Sequence, residues 1–174
     1  MSSLYIDPLS NGVRQTCDIN MAPTARIVIG KNVSIGKYSR IGAGNNSSIE
    51  IGNNVFINNG AYFNSSGKLV IEDDCQFGPY VTIWCGDHDI SDPTIILRQR
   101  GMVIGKDIRI CRNVWLGCSV VVLDGITIGK NAIVGAGSIV TKDIIPNSIS
   151  IGNPARVIKI FNLETIYINN YAKS

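Results

Sequence analysis

Apolar residues recur at intervals of six along most of the chain, and this spacing is the strongest pattern in the sequence. Nine of the sixteen residues that follow these positions are glycine. A helix would repeat its apolar face about every 3.6 residues, and a half-buried strand would alternate about every two. A six-residue unit instead suits one short strand followed by one corner. The sixteen positions are Ile29, Ile35, Ile41, Ile51, Ile57, Phe63, Ile71, Phe77, Ile83, Ile104, Ile110, Leu116, Val122, Ile128, Val134 and Val140.

Three such units would close one triangular coil of about 18 residues, and successive coils would stack roughly 4.8 Å apart with their backbones paired along the axis. The apolar residue of each unit would point inward, and the glycine after it would supply the backbone conformation that a tight corner demands. The pattern therefore predicts an all-β, parallel β-helix of about six coils around one continuous apolar core.

Three interruptions of the repeat predict loops, because a stacked coil accommodates extra residues only by extruding them at a corner. Four extra residues lie around 44–47, two lie around 65–68, and the long segment 84–103 lacks the pattern. This last segment contains Gly86, Asp87, His88 and Asp89, and His88 is the only histidine in the chain. Loops on a rigid scaffold often carry function, so the chemistry is expected here.

The repeat also divides the chain. Residues 21–152 form the predicted β-helix domain, with its extruded loop at 84–103. Residues 1–20 are expected to cap one end, in a conformation that the pattern does not define. Residues 153–174 are expected to cap the other end, because 157–171 is an apolar segment typical of a short amphipathic helix or strand, and the ends of a stacked structure need covering.

Composition narrows the class of protein. The net charge of +3 is too small and too dispersed to indicate a nucleic-acid partner. No apolar run reaches the roughly 18 residues that a membrane span needs. Five cysteines without a CxxC pair argue against a disulfide framework or a thiolate zinc site, and the first 20 residues lack the pattern of a signal peptide. We therefore expect a cytoplasmic protein.

Four segments near the C-terminus carry a resemblance to a known family. They are 113–117 (NVWLG), 135–138 (GAGS), 140–143 (VTKD) and 152–159 (GNPARVIK). Together they resemble the hexapeptide-repeat acetyltransferases, specifically the galactoside and maltose O-acetyltransferase branch, and also the O-acetyltransferases of surface polysaccharides. The resemblance implies a left-handed coil, a departure from the usual right-handed crossover. It also implies a homotrimer with active sites between subunits, acetyl-CoA as the donor, a saccharide hydroxyl as the acceptor, and no metal.

Acetyl transfer from a thioester to a hydroxyl needs a base for the hydroxyl proton, alignment of the reactants and a donor for the oxyanion. His88 lies at the family's histidine position, and an imidazole changes protonation near neutral pH, so His88 is the expected general base. Asp87 and Asp89 flank it and could orient the ring. Cys85 invites a covalent acyl-enzyme, but its place at the edge of a coil favours packing.

The resemblance also assigns the substrates to particular residues. Trp115 would flank the pantetheine arm of acetyl-CoA, and the backbone N–H groups near Cys118 and Ala136 would meet its amides. Asn64 and Asp87 would bind the acceptor sugar. The residues expected to hold the phosphates and the nucleotide end are Thr141, Lys142, Arg156 and Lys159, of which the cations suit phosphate oxygens.

Three other functions compete with this hypothesis. N-acetylation of an amino sugar would use the same thioester and the same base. A non-catalytic assembly module could share the scaffold, because fold does not fix function. A zinc-dependent hydratase needs three histidine ligands at each site, and one histidine per chain does not supply them at a subunit interface.

Overall fold

The computed structural model describes residues 1–10, 13 and 17–162. Within these residues nearly all regular structure is β, with two short 3₁₀ helices at Pro8–Ser10 and Leu97–Gln99. Three parallel sheets form the walls of a solenoid of about six coils, as the six-residue repeat predicts. The arrangement is consistent with a left-handed β-helix. No helix in this part of the chain is long and apolar enough to cross a membrane.

Each coil between residues 26 and 140 contributes one strand to each sheet. Sheet 1 contains β1 (Ser3–Ile6), β3 (Arg26–Ile29), β6 (Ser48–Ile51), β9 (Lys68–Ile71), β14 (Ile108–Ile110) and β17 (Thr127–Ile128). Sheet 2 contains β4 (Ser34–Ile35), β7 (Phe56–Ile57), β10 (Gln76–Phe77), β15 (Trp115–Leu116), β18 (Ile133–Val134) and β20 (Ser148–Ile151). Sheet 3 contains β2 (Cys17–Met21), β5 (Ser39–Ala43), β8 (Tyr62–Ser65), β11 (Thr82–Cys85), β16 (Val121–Val122) and β19 (Ile139–Val140).

The repeated apolar residues stack in register inside the solenoid. Ile51 pairs with Ile29 and Ile71 in sheet 1, and Leu116 pairs with Phe77 and Val134 in sheet 2. Fifteen of the sixteen repeat positions are buried, which confirms their predicted inward direction. All fifteen are at most 3% exposed, among them Ile29, Ile35, Ile41, Ile57, Ile83, Ile110, Leu116, Val122, Ile128 and Val134.

The inward prediction for Ile104 is wrong, because its side chain is 84% exposed. The chain is still in the extruded segment at this point, and it enters the coil only after the buried Gly105. The next inward residues are Ile108 and Ile110, which pair with Leu69 and Ile71 of β9. Ile104 matches the period because it lies six positions before Ile110, but it belongs to no strand that would direct its side chain inward.

The interpretation of the glycines as turn formers is also wrong. No glycine that follows a repeat position has a positive φ; that conformation lies mostly two residues later, at Asn, Asp, Tyr or Ser. The glycines are needed because adjacent coils pass close to them. A Cβ on Gly52 would lie 2.4 Å from Asp73 Oδ1, and one on Gly117 would lie 2.6 Å from the Ala136 nitrogen.

Side-chain amides form a ladder along the corner between sheets 1 and 2. Six residues there have φ between 53° and 62°: Asn32, Asn54, Asp74, Asn113, Asn131 and Asn147. Asn54 Nδ2 donates to Asp74 Oδ1 over 3.1 Å, and Asn131 Nδ2 donates to Asn147 Oδ1 over 2.7 Å. Hydrogen bonds from Asn54 and Arg112 lower the pKa of Asp74. These short polar side chains tolerate the left-handed conformation and tie successive coils together. Between Asp74 and Asn113 the link is made instead by Arg112 Nε, which donates to Asp74 Oδ2 over 2.7 Å.

Extra residues enter the solenoid at one corner only, between sheet 3 and sheet 1. The connections there are 22–25, 44–47, 66–67, 86–107 and 123–126, whereas every connection between sheets 1 and 2 from β3 to β18 has four residues. This confirms that the repeat breaks are loops at a corner. Strand β11 extends through Cys85, so the long loop begins at Gly86 rather than at 84.

Both ends of the solenoid differ from its middle. Strands β1 and β2 pair in parallel with β3 and β5, so they extend sheets 1 and 3 by one strand each. At the other end β21 (Arg156–Ile160) returns antiparallel along the free edge of β20 and covers it. The remainder of the expected C-terminal cap, 163–174, lies outside the described residues.

Candidate functional site

His88 lies on a short hairpin that projects from the corner between sheets 3 and 1. Strand β12 (Asp87–His88) pairs antiparallel with β13 (Met102–Val103), which places His88 opposite Met102. The His88 side chain is exposed. The hairpin therefore presents the imidazole to solvent and to any molecule that approaches this corner.

Aspartates shape the loop beyond the hairpin. Asp89 Oδ1 accepts a hydrogen bond from the Ser91 N–H over 2.8 Å, and Asp92 Oδ1 accepts one from the Thr94 N–H over 2.9 Å. Hydrogen bonds from Ser91 and Thr94 lower the pKa of the two carboxyls. Asp87 Oδ1 accepts the backbone N–H of His88 over 2.7 Å. In the described part of the chain neither Asp87 nor Asp89 hydrogen-bonds the imidazole ring.

A cleft of about 440 Å³ opens beside the hairpin. Its lining combines an aromatic ring, an aliphatic chain, two carboxylates, an ammonium group and a hydroxyl, a mixture suited to a polar ligand with apolar faces. The cleft brings together Asp87 and Thr141, which the sequence assigned to different substrates. The lining residues are Trp84, Gly86, Asp87, Lys106, Leu123, Asp124 and Thr141.

The sequence did not indicate Trp84, Lys106 or Asp124 as site residues. Trp84 points outward from β11 and stacks on Tyr62 with ring centroids 5.9 Å apart. If the predicted strand is continued to Cys85, Trp84 falls on the outer face beside Asn64 and becomes a candidate site residue. Lys106 and Asp124 meet only through the fold, because they lie on successive coils at the same corner.

Asn64 lies on the outer face of β8, between Gly42 of β5 and Trp84 of β11. A Cβ on Gly42 would lie 2.8 Å from Asn64 Oδ1, so the amide extends over the preceding coil. A smaller hollow of about 240 Å³ opens there, lined by Asn64, Arg40 and Asn20 among others. Asn64 is therefore a neighbour of Trp84 and of the cleft edge.

A second group of predicted residues lies on sheet 2 and at the corner between sheets 2 and 3. Trp115 is 52% exposed on the outer face of β15. Cys118 and Ala136 are exposed at the corner, one coil apart. Among the described residues, the backbone N–H groups of Cys118 and Ala136 donate to no acceptor. They are two free donors, stacked along the axis and open to solvent.

The predicted phosphate-binding cations lie near the last coil. Lys142 follows β19 and is exposed, and Arg156 and Lys159 are exposed on β21. Arg156 Nη1 donates to the carbonyl of Ala155 over 2.9 Å, and Lys159 Nζ lies 5.7 Å from the centre of the Phe161 ring. The ion pairs of the described chain involve other cations: Arg26, Arg40, Lys68, Arg109 and Arg112. The charges of the three predicted cations are therefore available to an anion.

Within one chain, the residues of the hairpin and cleft lie apart from the free N–H groups of Cys118 and Ala136. The hairpin and the cleft lie at the end of the sheet 3 strands, and Cys118 and Ala136 lie at their beginning. Sheet 3 itself separates His88 from the free N–H groups. In residues 1–10, 13 and 17–162, no cluster of three or more His, Cys, Asp or Glu side chains could hold a metal ion.

Known proteins share both the repeat and the fold. The family "Bacterial transferase hexapeptide (six repeats)" matches residues 107–142, and "Hexapeptide repeat of succinyl-transferase" matches 26–64. A galactoside O-acetyltransferase of Lactococcus lactis is 43% identical over 117 residues, which cover 64% of this chain and 55% of the relative. The crystal structure of a maltose O-acetyltransferase from Clostridium difficile has 36% identity and a TM-score of 0.61, over 86% of this chain and 72% of the other. The chain belongs to the hexapeptide-repeat acetyltransferase family.

A further family structure contains a ligand. A hexapeptide-repeat acetyltransferase from Vibrio cholerae, solved with acetyl-CoA, has 25% identity and a TM-score of 0.52, over 83% of this chain and 65% of the other. The chain spans little more than half the length of the Lactococcus relative. The matched families cover β3 to β8 and β14 to β19, so the hairpin loop between them lies outside both matches.

Cys85 is poorly suited to be a nucleophile in this hexapeptide-repeat protein. Its side chain is fully buried, and the thiol donates to the Lys106 carbonyl over 3.0 Å. Burial raises the pKa of the Cys85 thiol, which disfavours the reactive thiolate. The geometry agrees with the packing role that the sequence favours.

Proposed function

We propose that this protein transfers an acetyl group from acetyl-CoA directly to a hydroxyl of a saccharide, with His88 as the general base. The observation that carries the proposal is the exposed histidine on an anchored hairpin beside a cleft, in a chain of the hexapeptide-repeat acetyltransferase family. The imidazole accepts the hydroxyl proton as the oxygen attacks the thioester carbonyl. The carbon–sulfur bond then breaks, and the CoA thiolate leaves and takes up a proton.

The donor side rests on the free N–H groups and the cations. The N–H groups of Cys118 and Ala136 are matched to the amide oxygens of the pantetheine arm, with the Trp115 ring beside them. Lys142, Arg156 and Lys159 bind the phosphates and the nucleotide end, since cations outside ion pairs attract phosphate oxygens strongly. Thr141, which also lines the cleft, adds a hydroxyl beside Lys142. The cysteine at 118 leaves this role unaffected, because the backbone amide makes the contact.

The acceptor side rests on the cleft and on Asn64. Carboxylates such as Asp87 accept hydrogen bonds from sugar hydroxyls, and the amide of Asn64 can both donate and accept. The outer face of Trp84 gives an apolar surface for the C–H face of a sugar ring. A saccharide presents both several hydroxyl groups and an apolar ring face, whereas a simple alcohol does not present both.

A homotrimer would complete the site. His88 and the free N–H groups lie on different corners of one chain, so a neighbouring copy must bring them together. Large apolar side chains are exposed on both parts that would meet. They are Ile90, Ile95, Ile96, Leu97, Val103 and Ile104 on the loop, and Phe56 and Trp115 on sheet 2. Exposed apolar groups at this density mark an interaction surface.

The assembly is tested by sedimentation. We expect a single species of about three times 18.8 kDa at micromolar concentration. A Trp115→Arg variant should shift the species toward smaller mass, because it places a charge at the proposed contact. A wild-type protein that sediments as a monomer while turning over acetyl-CoA would contradict the composite site.

The activity is tested by following release of free CoA thiol from acetyl-CoA against a panel of acceptors. We expect galactosides, glucosides and maltose to give turnover, with an O-acetyl ester as the product by mass spectrometry. Turnover only with amino sugars would replace O-acetylation by N-acetylation. Absence of both turnover and calorimetric binding of acetyl-CoA would favour a non-catalytic module.

The cations give a separate prediction about the donor. Lys142→Ala and Arg156→Ala should each raise the KM for acetyl-CoA about tenfold and leave kcat nearly unchanged, because the phosphates are remote from the reacting carbonyl. Lys130→Ala is the matched control, since Lys130 is an exposed cation on the same coil at the corner between sheets 1 and 2. A loss of kcat alone in both variants would show that these cations do not bind the nucleotide end.

A further inference from the structure

Two glycines bring the ends of the His88 loop together. Gly86 and Gly105 are both buried, and a Cβ on Gly105 would lie 2.6 Å from the Gly86 nitrogen. Gly86 has a φ of +138°, a conformation that residues with a Cβ rarely adopt. The loop therefore leaves the solenoid and returns to it through one narrow point, which we call the loop root.

The hydroxyl of Ser66 bridges the two sides of this root. Ser66 Oγ donates to the carbonyl of Cys85 over 3.0 Å, on the side where the loop leaves. It accepts from the N–H of Gly105 over 3.1 Å, on the side where the loop returns. One hydroxyl thus uses both its donor and its acceptor capacity to join residues that are twenty positions apart in the sequence.

Two further contacts hold the returning strand. The N–H of Lys106 donates to Asp124 Oδ2 over 3.0 Å, and its carbonyl accepts from the Cys85 thiol over 3.0 Å. A Cβ on Gly67, the residue after Ser66, would lie 2.2 Å from the Gly105 carbonyl oxygen. The returning backbone is therefore fixed by coils on both sides of it.

The hairpin that carries His88 starts and ends close to this root. His88 lies two residues beyond Gly86, and its partner Met102 lies three residues before Gly105. The hairpin has one pair of two-residue strands, and such an element is marginally stable alone. The position of the imidazole must therefore depend on how firmly the root is held.

We propose that Ser66 is a positioning residue for the reaction, because its hydroxyl clamps the loop root and so fixes where the hairpin presents His88. The proposal rests on the proposed function for its kinetic consequence. Ser66 lies at the same corner one coil before His88, 22 residues earlier in the chain, and takes no part in proton transfer. A displacement of about 1 Å in a catalytic group can cost on the order of 10²-fold in rate.

Ser47 offers a matched control. Its hydroxyl lies at the same corner one coil earlier and contacts the carbonyl of Ser65 over 2.9 Å, as Ser66 contacts that of Cys85. Ser47 and Ser66 therefore make the same type of contact to the next coil. Only Ser66 touches the loop root.

The test compares Ser66→Ala, Ser66→Thr and Ser47→Ala. We expect Ser66→Ala to lower kcat by about 10- to 100-fold, with an unchanged KM for acetyl-CoA, and Ser66→Thr to restore most of kcat because it keeps the hydroxyl. Ser47→Ala should keep kcat even if its melting temperature falls as far. Similar kcat losses in Ser66→Ala and Ser47→Ala, or a normal kcat in Ser66→Ala, would overturn the proposal.

Amide hydrogen exchange separates this proposal from the proposed function. In Ser66→Ala the amides of residues 86–105 should exchange faster than in the wild-type protein, whereas in Ser47→Ala they should not. This measurement needs no acceptor and no turnover. Faster exchange in an inactive protein would retain the clamp and reject the activity, and unchanged exchange in Ser66→Ala would reject the clamp itself.

Discussion

Replacing His88 by alanine should lower kcat by about 10²- to 10⁴-fold, the usual contribution of a positioned general base. The side chain is exposed on a loop, so its removal should leave thermal stability, assembly and acetyl-CoA binding intact. Thiol release measured over a range of acceptor concentrations gives kcat for both the wild-type and the variant protein, and thermal melting, sedimentation and calorimetry with acetyl-CoA check the properties expected to be unchanged.

Cys85→Ala is the informative companion to His88→Ala. It should remain active and lose at most the anchoring of the Lys106 carbonyl, because direct transfer needs no acetyl-enzyme. Intact-protein mass spectrometry after incubation with acetyl-CoA should show no acetyl adduct. Normal turnover in His88→Ala together with an inactive Cys85→Ala would reject the mechanism while leaving the fold untouched.

Replacing Val122 by aspartate should unfold much of the solenoid. Val122 is fully buried between Ile83 and Val140 of the neighbouring coils, so a carboxylate there would have no water and no cation. We expect a loss of roughly 4 kcal/mol or more from a total free energy of unfolding of about 5–15 kcal/mol. Urea unfolding followed by circular dichroism measures the change.

The matched control is Thr127→Asp on an equally short strand. Thr127 points outward, is exposed, and pairs in register with Arg109. Its N–H donates to Asp143 Oδ1 over 2.8 Å, but both carboxylates would stay in water, where their repulsion is weak. Its free energy of unfolding should change by less than about 1 kcal/mol. Equal effects at the two positions would contradict the assignment of Val122 to the core.

The sequence predicts the solenoid well because its period is a physical requirement. A residue must return to the interior at each wall, and Ile29, Ile51 and Ile71 satisfy this coil after coil. Ile104 is an exception, because the period describes spacing and carries no information about where a strand begins. The role of the glycines is equally hidden from the local sequence, because the need for glycine at position 52 comes from the neighbouring coil.

The candidate site likewise contains some residues that the sequence predicts and others that it does not. His88 could be identified because a unique histidine lay in a segment that broke the repeat. Lys106 and Asp124 could not, since they are eighteen residues apart and meet only when one coil is stacked on the next. The role proposed for Ser66 depends on its hydrogen bond with Gly105, which is 39 residues away in the chain, and no local pattern indicates such a contact.

The restriction of extra length to one corner has a consequence for how such proteins can diversify. Side-chain ladders tie successive coils at the corner between sheets 1 and 2, so an insertion there would break bonds above and below it. At the corner between sheets 3 and 1, connections of two, four and twenty-two residues already coexist in one molecule. A lineage can therefore exchange whole loops at this corner while the three walls of the solenoid stay the same.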